Sequence, residues 1–229
     1  MHLQLSCLLL LLCISLPVRA ADDPLQTVRD ARAVLQEIVR IPEQGIPPSL
    51  LHRAHALAVI PNMIKAGFIV GGRYGRGILL VRKADGDWNA PVFIELLGGS
   101  LGWQIGAQES DLVLVFKTAK SVEGVFAGKV TLGADAGVAA GQVGRRVEGA
   151  TDLELKAEIY SYSRSRGLFA GVSLEGAALG VDGEANEVYY QQLEITPRMI
   201  LDGVDGEQPL AGKRLLMDLQ EIMADFESQ

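Results

Sequence analysis

The chain has 229 residues, 48% of them hydrophobic and 21% charged, with a formal net charge of -7. That length allows one good-sized domain or two small ones with a substantial core, and one domain is expected. The acidic total disfavours bulk attraction to nucleic acid, so no nucleic-acid partner is expected.

Residues 3–16, "LQLSCLLLLLCISL", form an apolar run too short to span a bilayer comfortably, followed by "PVRA" and "ADDP". This pattern predicts a signal peptide over residues 1–20, cut between Ala20 and Ala21, although "MHLQ" lacks the usual Lys or Arg. Residues 21–229 are then the expected single domain. Cys7 and Cys13 both lie in the leader, so the mature chain would hold no disulfide and no Cys-ligated metal. Leu12 is too bulky to precede a lipid-modified Cys13, and Cys7 has too little apolar sequence ahead of it. N-x-[ST] sequons are absent, which favours a bacterial envelope, and the expected compartment is the periplasm. Removing the leader removes Arg19 and no acid, which takes the charge from -7 to -8.

Asp23-Pro24 supplies an N-cap and a first helical residue for "PLQTVRDARAVLQEIVR". Leu25, Val28, Leu35, Ile38 and Val39 recur on one side, while Arg29, Asp30, Arg32, Gln36 and Arg40 mark a polar side. An amphipathic helix is predicted there, then a second helix over "SLLHRAHA" behind Pro48. Between Arg29 and Lys83 the bases Arg29, Arg32, Arg40, Arg53, Lys65, Arg73, Arg76, Arg82 and Lys83 outnumber Asp30, Glu37 and Glu43. A locally basic third suits an anionic surface, but a surplus of Lys and Arg is more often a solvated face, and charge alone does not decide between them.

From Leu57 onward strand signals dominate, first in "ALAVIP" and then in "AGFIVGGRYGRGILLVRKADGDWNAPVFIEL". Asp85-Gly86 and Ser165-Arg166-Gly167 read as hairpin connections, which makes the sheet antiparallel. "KVTLGADAGVAAGQV" and "LKAEIYSYSRSRGLFAGVSLEGAALGV" continue it. Short helices are predicted at "TAKSVEGVFAG" and "TPRMILDG", and a longer one at "PLAGKRLLMDLQEIMADFE". The expected fold is α+β: a strongly curved, mainly antiparallel, barrel-like sheet with N-terminal amphipathic helices and C-terminal helices packed on it.

Gly98-Gly99-Ser100-Leu101-Gly102 matches the G-x-S-x-G elbow of serine hydrolases. Alternation from Gly98 to Gln108 instead predicts a strand running straight through Ser100, and His52 and His55 precede it where the elbow order places His last. No enzymatic activity is expected. Small residues recur at Gly98, Gly102 and Gly106, at Gly133, Gly137 and Gly141, and at Gly176, Ala178 and Gly180. Such faces mark sharp coiling, a packed helix or a bound ligand, with sheet curvature preferred.

"GRYGRG" and "GGSLG" lack the ordered dinucleotide fingerprint, and Val130 follows Gly128-Lys129 where a P-loop needs Ser or Thr. Asp85, Asp87 and Asn89 begin an EF-hand pattern that Ala90 and Leu96 break. His52 and His55 lack an obvious third ligand, so neither metal nor cofactor is expected. Glu175 is a candidate buried carboxylate.

The motifs "KAGF", "DGDWNAP", "GWQIGAQ.SDLVLVF", "GLFAG.SLEG" and "N..YY" occur in this order, most clearly between His52 and Gln191. Together they resemble the SYLF domain, a lipid-binding family also named for its yeast actin-binding members. The resemblance implies binding of phosphoinositides or other anionic membrane lipids by an N-terminal amphipathic helix and nearby basic residues, without catalysis. Carried onto this chain, the candidate contacts are Arg29, Arg32, Arg40, Arg53 and Lys65. His55-Ala56 stands where many relatives have Lys-Gly, which makes a basic contact there pH-dependent or absent. The alternatives are an envelope protein partner bound by a scaffold module, and carriage of an enclosed lipid. Export makes cytoplasmic actin an unsuitable partner.

Overall fold

The computed structural model describes residues 23–40, 46–140, 157–165, 168–203 and 208–227. The predicted leader lies outside the described residues. Helices α1 (Pro24–Arg40) and α2 (Pro48–His52) precede two very long strands, β1 (Ala56–Val81) and β2 (Val92–Phe116). Then come α3 (Ala119–Phe126), β3 (Lys129–Thr131), β4 (Val138–Ala140), β5 (Ile159–Ser165), β6 (Leu168–Gly171) and β7 (Ala177–Val181). Helices α4 (Gly183–Tyr190), α5 (Pro197–Asp202) and α6 (Leu210–Glu227) follow.

β1 and β2 form one antiparallel ribbon from Ala56↔Phe116 to Leu79↔Val92. Where the sequence separates "ALAVIP" from the next run, β1 continues, because Asn62 takes φ 50° and a bulge between Ile60 and Met63 absorbs Pro61 within the strand. The even alternation expected from Gly98 to Gln108 is interrupted. Gly67 pairs with Gly106 but Ile69 with Gly102, so three residues of β2 oppose one of β1. Such irregularities bend a ribbon, and this one curls until the Arg82 amide donates to the His55 carbonyl at 2.9 Å, joining the two ends of β1.

Curling places β1 against itself. A Cβ at Gly77 would fall on the Val59 carbonyl oxygen and Ile60 backbone, and one at Gly75 on the Ile60 side chain. These glycines of "GRYGRG" therefore permit closure. β2 carries β7 along Ile94–Gly98 and β5 along Asp111–Phe116, with β3 beyond β7, and β4 and β6 beside β5. The pairing is antiparallel apart from β4 with β5. The expected curved, mainly antiparallel α+β architecture is the observed one.

Over residues 56–60, 78–81, 92–94 and 112–116 both faces of the ribbon are buried, as its near-continuous apolar runs there require. Ala58, Ile60, Leu79, Ile94, Leu96, Leu112 and Leu114 point inward with Ile159, Leu179 and Val122. Leu57, Val59, Ile78, Leu80, Val113 and Val115 point outward under α1, α4 and α6. The apolar stripe of α1, Val28, Ala31, Val34 and Leu35, is at most 2% exposed, packed with Leu215, Leu219 and Ile222 of α6. Beside it, Arg32 Nε meets Asp218 at 2.7 Å and Gln36 donates to the same carboxylate at 2.6 Å. Fully burying Val28, Val34 and Leu35 contributes about 1.5–3 kcal/mol each.

Several sequence expectations change. α2 stops at His52, because Ala54 and His55 already lead into the sheet. Gly133 (φ 91°) and Gly176 (φ 77°) occupy turns, so neither belongs to a strand face of small residues, and Gly141 lies outside the described residues. Glu175 is exposed in the same turn as Gly176. Helix α4 is absent from the sequence reading, although Asp182 caps it by accepting from the Ala185 amide at 3.0 Å. It carries "N..YY". Asn186, fully buried, accepts from the Phe93 amide (2.9 Å) and donates to the carbonyls of Phe93 (3.2 Å) and Asp182 (2.7 Å), and Tyr190 donates to Pro91 at 2.7 Å.

Replacing Gly77 by Ala forces apart two backbones, so we expect at least about 2 kcal/mol of destabilisation by urea titration. Gly99→Ala, with open space at its Cβ, should stay within about 0.5 kcal/mol. An Arg32→Ala/Asp218→Ala double-mutant cycle should return a coupling of about 1 kcal/mol, because the pair is part-exposed. Burial pushes the Tyr189 hydroxyl up to about 12, from 10.0. Ionisation thus favours the unfolded chain between those values, and the melting temperature should fall as pH rises from 10 towards 12. Tyr189→Phe should recover part of that fall, the rest belonging to Tyr162 and Tyr190, whose hydroxyls burial also pushes up.

Candidate functional site

Where the curled sheet opens, its inner face changes character. Met63 still belongs to the apolar interior, but two residues further along the same face Lys65 is exposed at the rim. Arg73 returns to this rim from beyond the bend. Lys65 and Arg73 line one recess of about 540 Å³ together with Gln108, Ser110, Ser163, Ser165 and Ser173.

Arg73 is half-buried and lies across Gly98, its strand partner, where an added Cβ would stand 3.1 Å from Arg73 Cγ. Its Nη1 donates to the Ser173 carbonyl at 3.1 Å, whereas its Nε is buried with no partner. Burial lowers the Arg73 pKa from its ordinary value. Among the described residues no carboxylate forms an ion pair with Lys65 or Arg73. Glu109 is the acid in the lining, and as the strand partner of Ile64 it stands on the opposite face from Lys65.

The other candidate cations are dispersed. Arg29 is exposed on α1, with a 3.4 Å contact to Gln26, and Arg53 bonds the Ser49 carbonyl at 3.1 Å at the end of α2. Arg32 is held by Asp218. Arg40 ends α1, and its side chain lies outside the described residues. Of the four candidates whose side chains are described, Lys65 alone lines the recess. Arg73 enters the sequence reading only as one basic residue among nine. The available signal was its place on the strand face of Leu79 and Val81, where a cation interrupts an inward apolar row.

A second concavity of about 580 Å³ runs between α3 and α5, walled by Val122, Phe126 and Leu201 with His55, Glu123 and Arg198 at its edges. Ser100 pairs with Gly71 in the middle of β2, which continues to Phe116, so no nucleophile elbow exists there. Among the described residues no group of three His, Cys, Asp or Glu side chains could hold a metal ion. No described helix is long and apolar enough to cross a membrane.

The family model described as "Ysc84: Las17-binding protein actin regulator" matches residues 97–222, more than half of the chain. The chain is 40% identical over 205 residues to SH3 domain-containing YSC84-like protein 1 of Rattus norvegicus, covering 86% of this chain and 58% of the relative. The Homo sapiens protein of the same name gives the same identity and coverage. LAS seventeen-binding protein 3 of Saccharomyces cerevisiae (strain ATCC 204508 / S288c) is 40% identical over 164 residues, 70% of this chain and 35% of the yeast protein. The chain thus spans little more than half of the YSC84-like relatives and about a third of the yeast one. With the family model running from within β2 into the last helix, and the YSC84-like relatives matching 86% of the chain, the chain belongs to the Ysc84 (SYLF-domain) family.

Proposed function

We propose that this domain binds anionic lipids at a membrane surface and performs no chemistry of its own. The observation that carries the reading is Lys65, exposed at the rim of an open polar recess with no acid paired to it. Arg29 and Arg53 add exposed positive charge in the N-terminal third. The family resemblance supports anionic lipids as the ligand class. Because α1 has its apolar stripe against the sheet, the helix meets the surface docked: undocking would expose three side chains worth about 1.5–3 kcal/mol each, against about 1 kcal/mol gained per cation near the surface. The leader pattern in residues 1–20 supports an exported protein acting at the periplasmic side of the envelope.

A second reading, docking of a partner protein, is supported by the groove between α3 and α5, by the family description, which speaks of Las17 binding and actin regulation, and by the name of the yeast relative, a LAS seventeen-binding protein.

Co-sedimentation of the purified protein with phosphatidylcholine vesicles, with and without phosphatidylglycerol, separates the two. We expect binding to the anionic vesicles alone, weakening as salt rises. The triple change Arg29→Ala, Arg53→Ala, Lys65→Ala should lower the partition coefficient roughly a hundredfold, at about 1 kcal/mol per cation. Equal binding to neutral vesicles, or a triple variant that binds like the parent, would refute the assignment. Absence of vesicle binding together with stoichiometric capture of one purified envelope protein would favour the second reading.

A further inference from the structure

We infer that the recess at the mouth of the curled sheet is a saturable site for one phosphate monoester, held between Arg73 and Lys65. Arg73 directs a half-buried guanidinium along the recess while one of its nitrogens, Nε, has no partner. A buried charged donor left unpaired costs free energy that a bound oxyanion would recover. Nε and one Nη of a guanidinium form a planar fork that matches two oxygens of a phosphate, and Lys65 supplies a second, separate charge from the rim.

The lining also supplies neutral donors. Ser110 and Ser163 lie on the inner face beside Lys65 and the adjoining strand, and Ser173 follows at the carbonyl that orients Arg73. Among the described residues the hydroxyls of these three serines make no hydrogen bond. Their placement around two cations fits a tetrahedral group with several terminal oxygens better than it fits a planar carboxylate.

Charge selects between phosphate types. A monoester carries about -1.5 to -2 near neutral pH and presents three terminal oxygens, whereas a diester carries one charge and two such oxygens. Two cations and several hydroxyls match the former. The volume, about 540 Å³, is within the roughly 300–1,000 Å³ of small-molecule sites, so the recess takes one headgroup and leaves the rest of the ligand outside. Gly98 belongs to the site as the floor over which Arg73 lies.

The inference uses the proposed function only for the source of the phosphate, a lipid headgroup or a free metabolite. The test has two arms on the purified protein. Calorimetry with glycerol phosphate examines the soluble monoester. Flotation with vesicles containing phosphatidic acid, a monoester, or phosphatidylglycerol, a diester, at matched surface potential examines the membrane. We expect one saturable glycerol phosphate site and at least tenfold preference for phosphatidic acid. Arg73→Gln should remove both, and Arg73→Lys should keep binding to anionic vesicles without regaining the tenfold preference, since it returns charge but not the fork. Circular dichroism melting of each variant verifies the fold.

A monoester preference that persists in a folded Arg73→Gln protein overturns the site. So does failure of both glycerol phosphate and phosphatidic acid to bind. Saturable, Arg73-dependent binding of glycerol phosphate without vesicle binding upholds the site, assigns it to a soluble compound and sinks the membrane reading alone.

Discussion

Everything in this fold depends on one ribbon closing on its own backbone. β1 and β2 are long enough to be buried twice, once on each face, only because β1 returns to within hydrogen-bond distance of its own start at His55 and Arg82. Closure demands that side chains vanish where the halves meet, and Gly75 and Gly77 meet that demand. Once the ribbon is closed, its inner rows share one apolar interior with β5, β7 and α3, and its outer rows need a cover. Helices α1, α4 and α6 are that cover. The amphipathicity of α1 is thereby accounted for by packing before any membrane is considered.

The same constraint explains most of the family motifs in physical terms. "DGDWNAP" makes the ribbon's tip: Gly86 turns the chain at φ 96°, Trp88 bridges to Arg82 and is buried beneath its guanidinium at 4.7 Å, and Pro91 receives Tyr190. "N..YY" clamps α4 to β2 through the backbone of Phe93. The aspartate of "SDLVLVF", Asp111, accepts Arg164 at 2.7 Å and the Asn62 amide at 3.1 Å, which secures the bulge beside Pro61. Lys65 of "KAGF" differs from all of these. It makes no such internal contact and stands where the closed interior meets solvent.

Local signals carried much of this architecture in the sequence. Turn chemistry at Asp85-Gly86, the helical segments beginning at Thr118 and Thr196, and alternation along β5 and β7 are short-range, and each element they predict is present. What was not legible depended on contacts distant in the chain. The glycines that matter for closure are Gly75 and Gly77, whose reason is Val59 and Ile60, some seventeen residues earlier, so the faces built on Gly133 and Gly176 misplaced the emphasis. Helix α4 is short and its periodicity weak, because Asn186 is buried on a polar task and Val188 is exposed. The recess escaped for the same reason: Lys65 and Arg73 are eight residues apart on one strand, and only the bend between them brings both to one mouth.

Charge illustrates how such contacts revise a count. The basic surplus between Arg29 and Lys83 shrinks once partners are assigned, since Arg32 is paired with Asp218, Arg76 with Asp182 at 3.2 Å, and Arg82 lies over Trp88. With a net charge of -7, the protein as a whole repels an anionic surface or solute. At physiological ionic strength that repulsion is screened beyond about 8 Å, so attraction has to come from charges held within that distance of the ligand. Scattered arginines on α1 and α2 provide it only for an extended surface. The mouth of the sheet would provide it for the single group proposed above, because Lys65 and Arg73 line one recess and Arg73 is partly desolvated there. On the proposed reading, an acidic protein with a basic recess attracts selectively rather than generally, and the ribbon that brings β1 back to its own beginning is what places Lys65 and Arg73 at that recess.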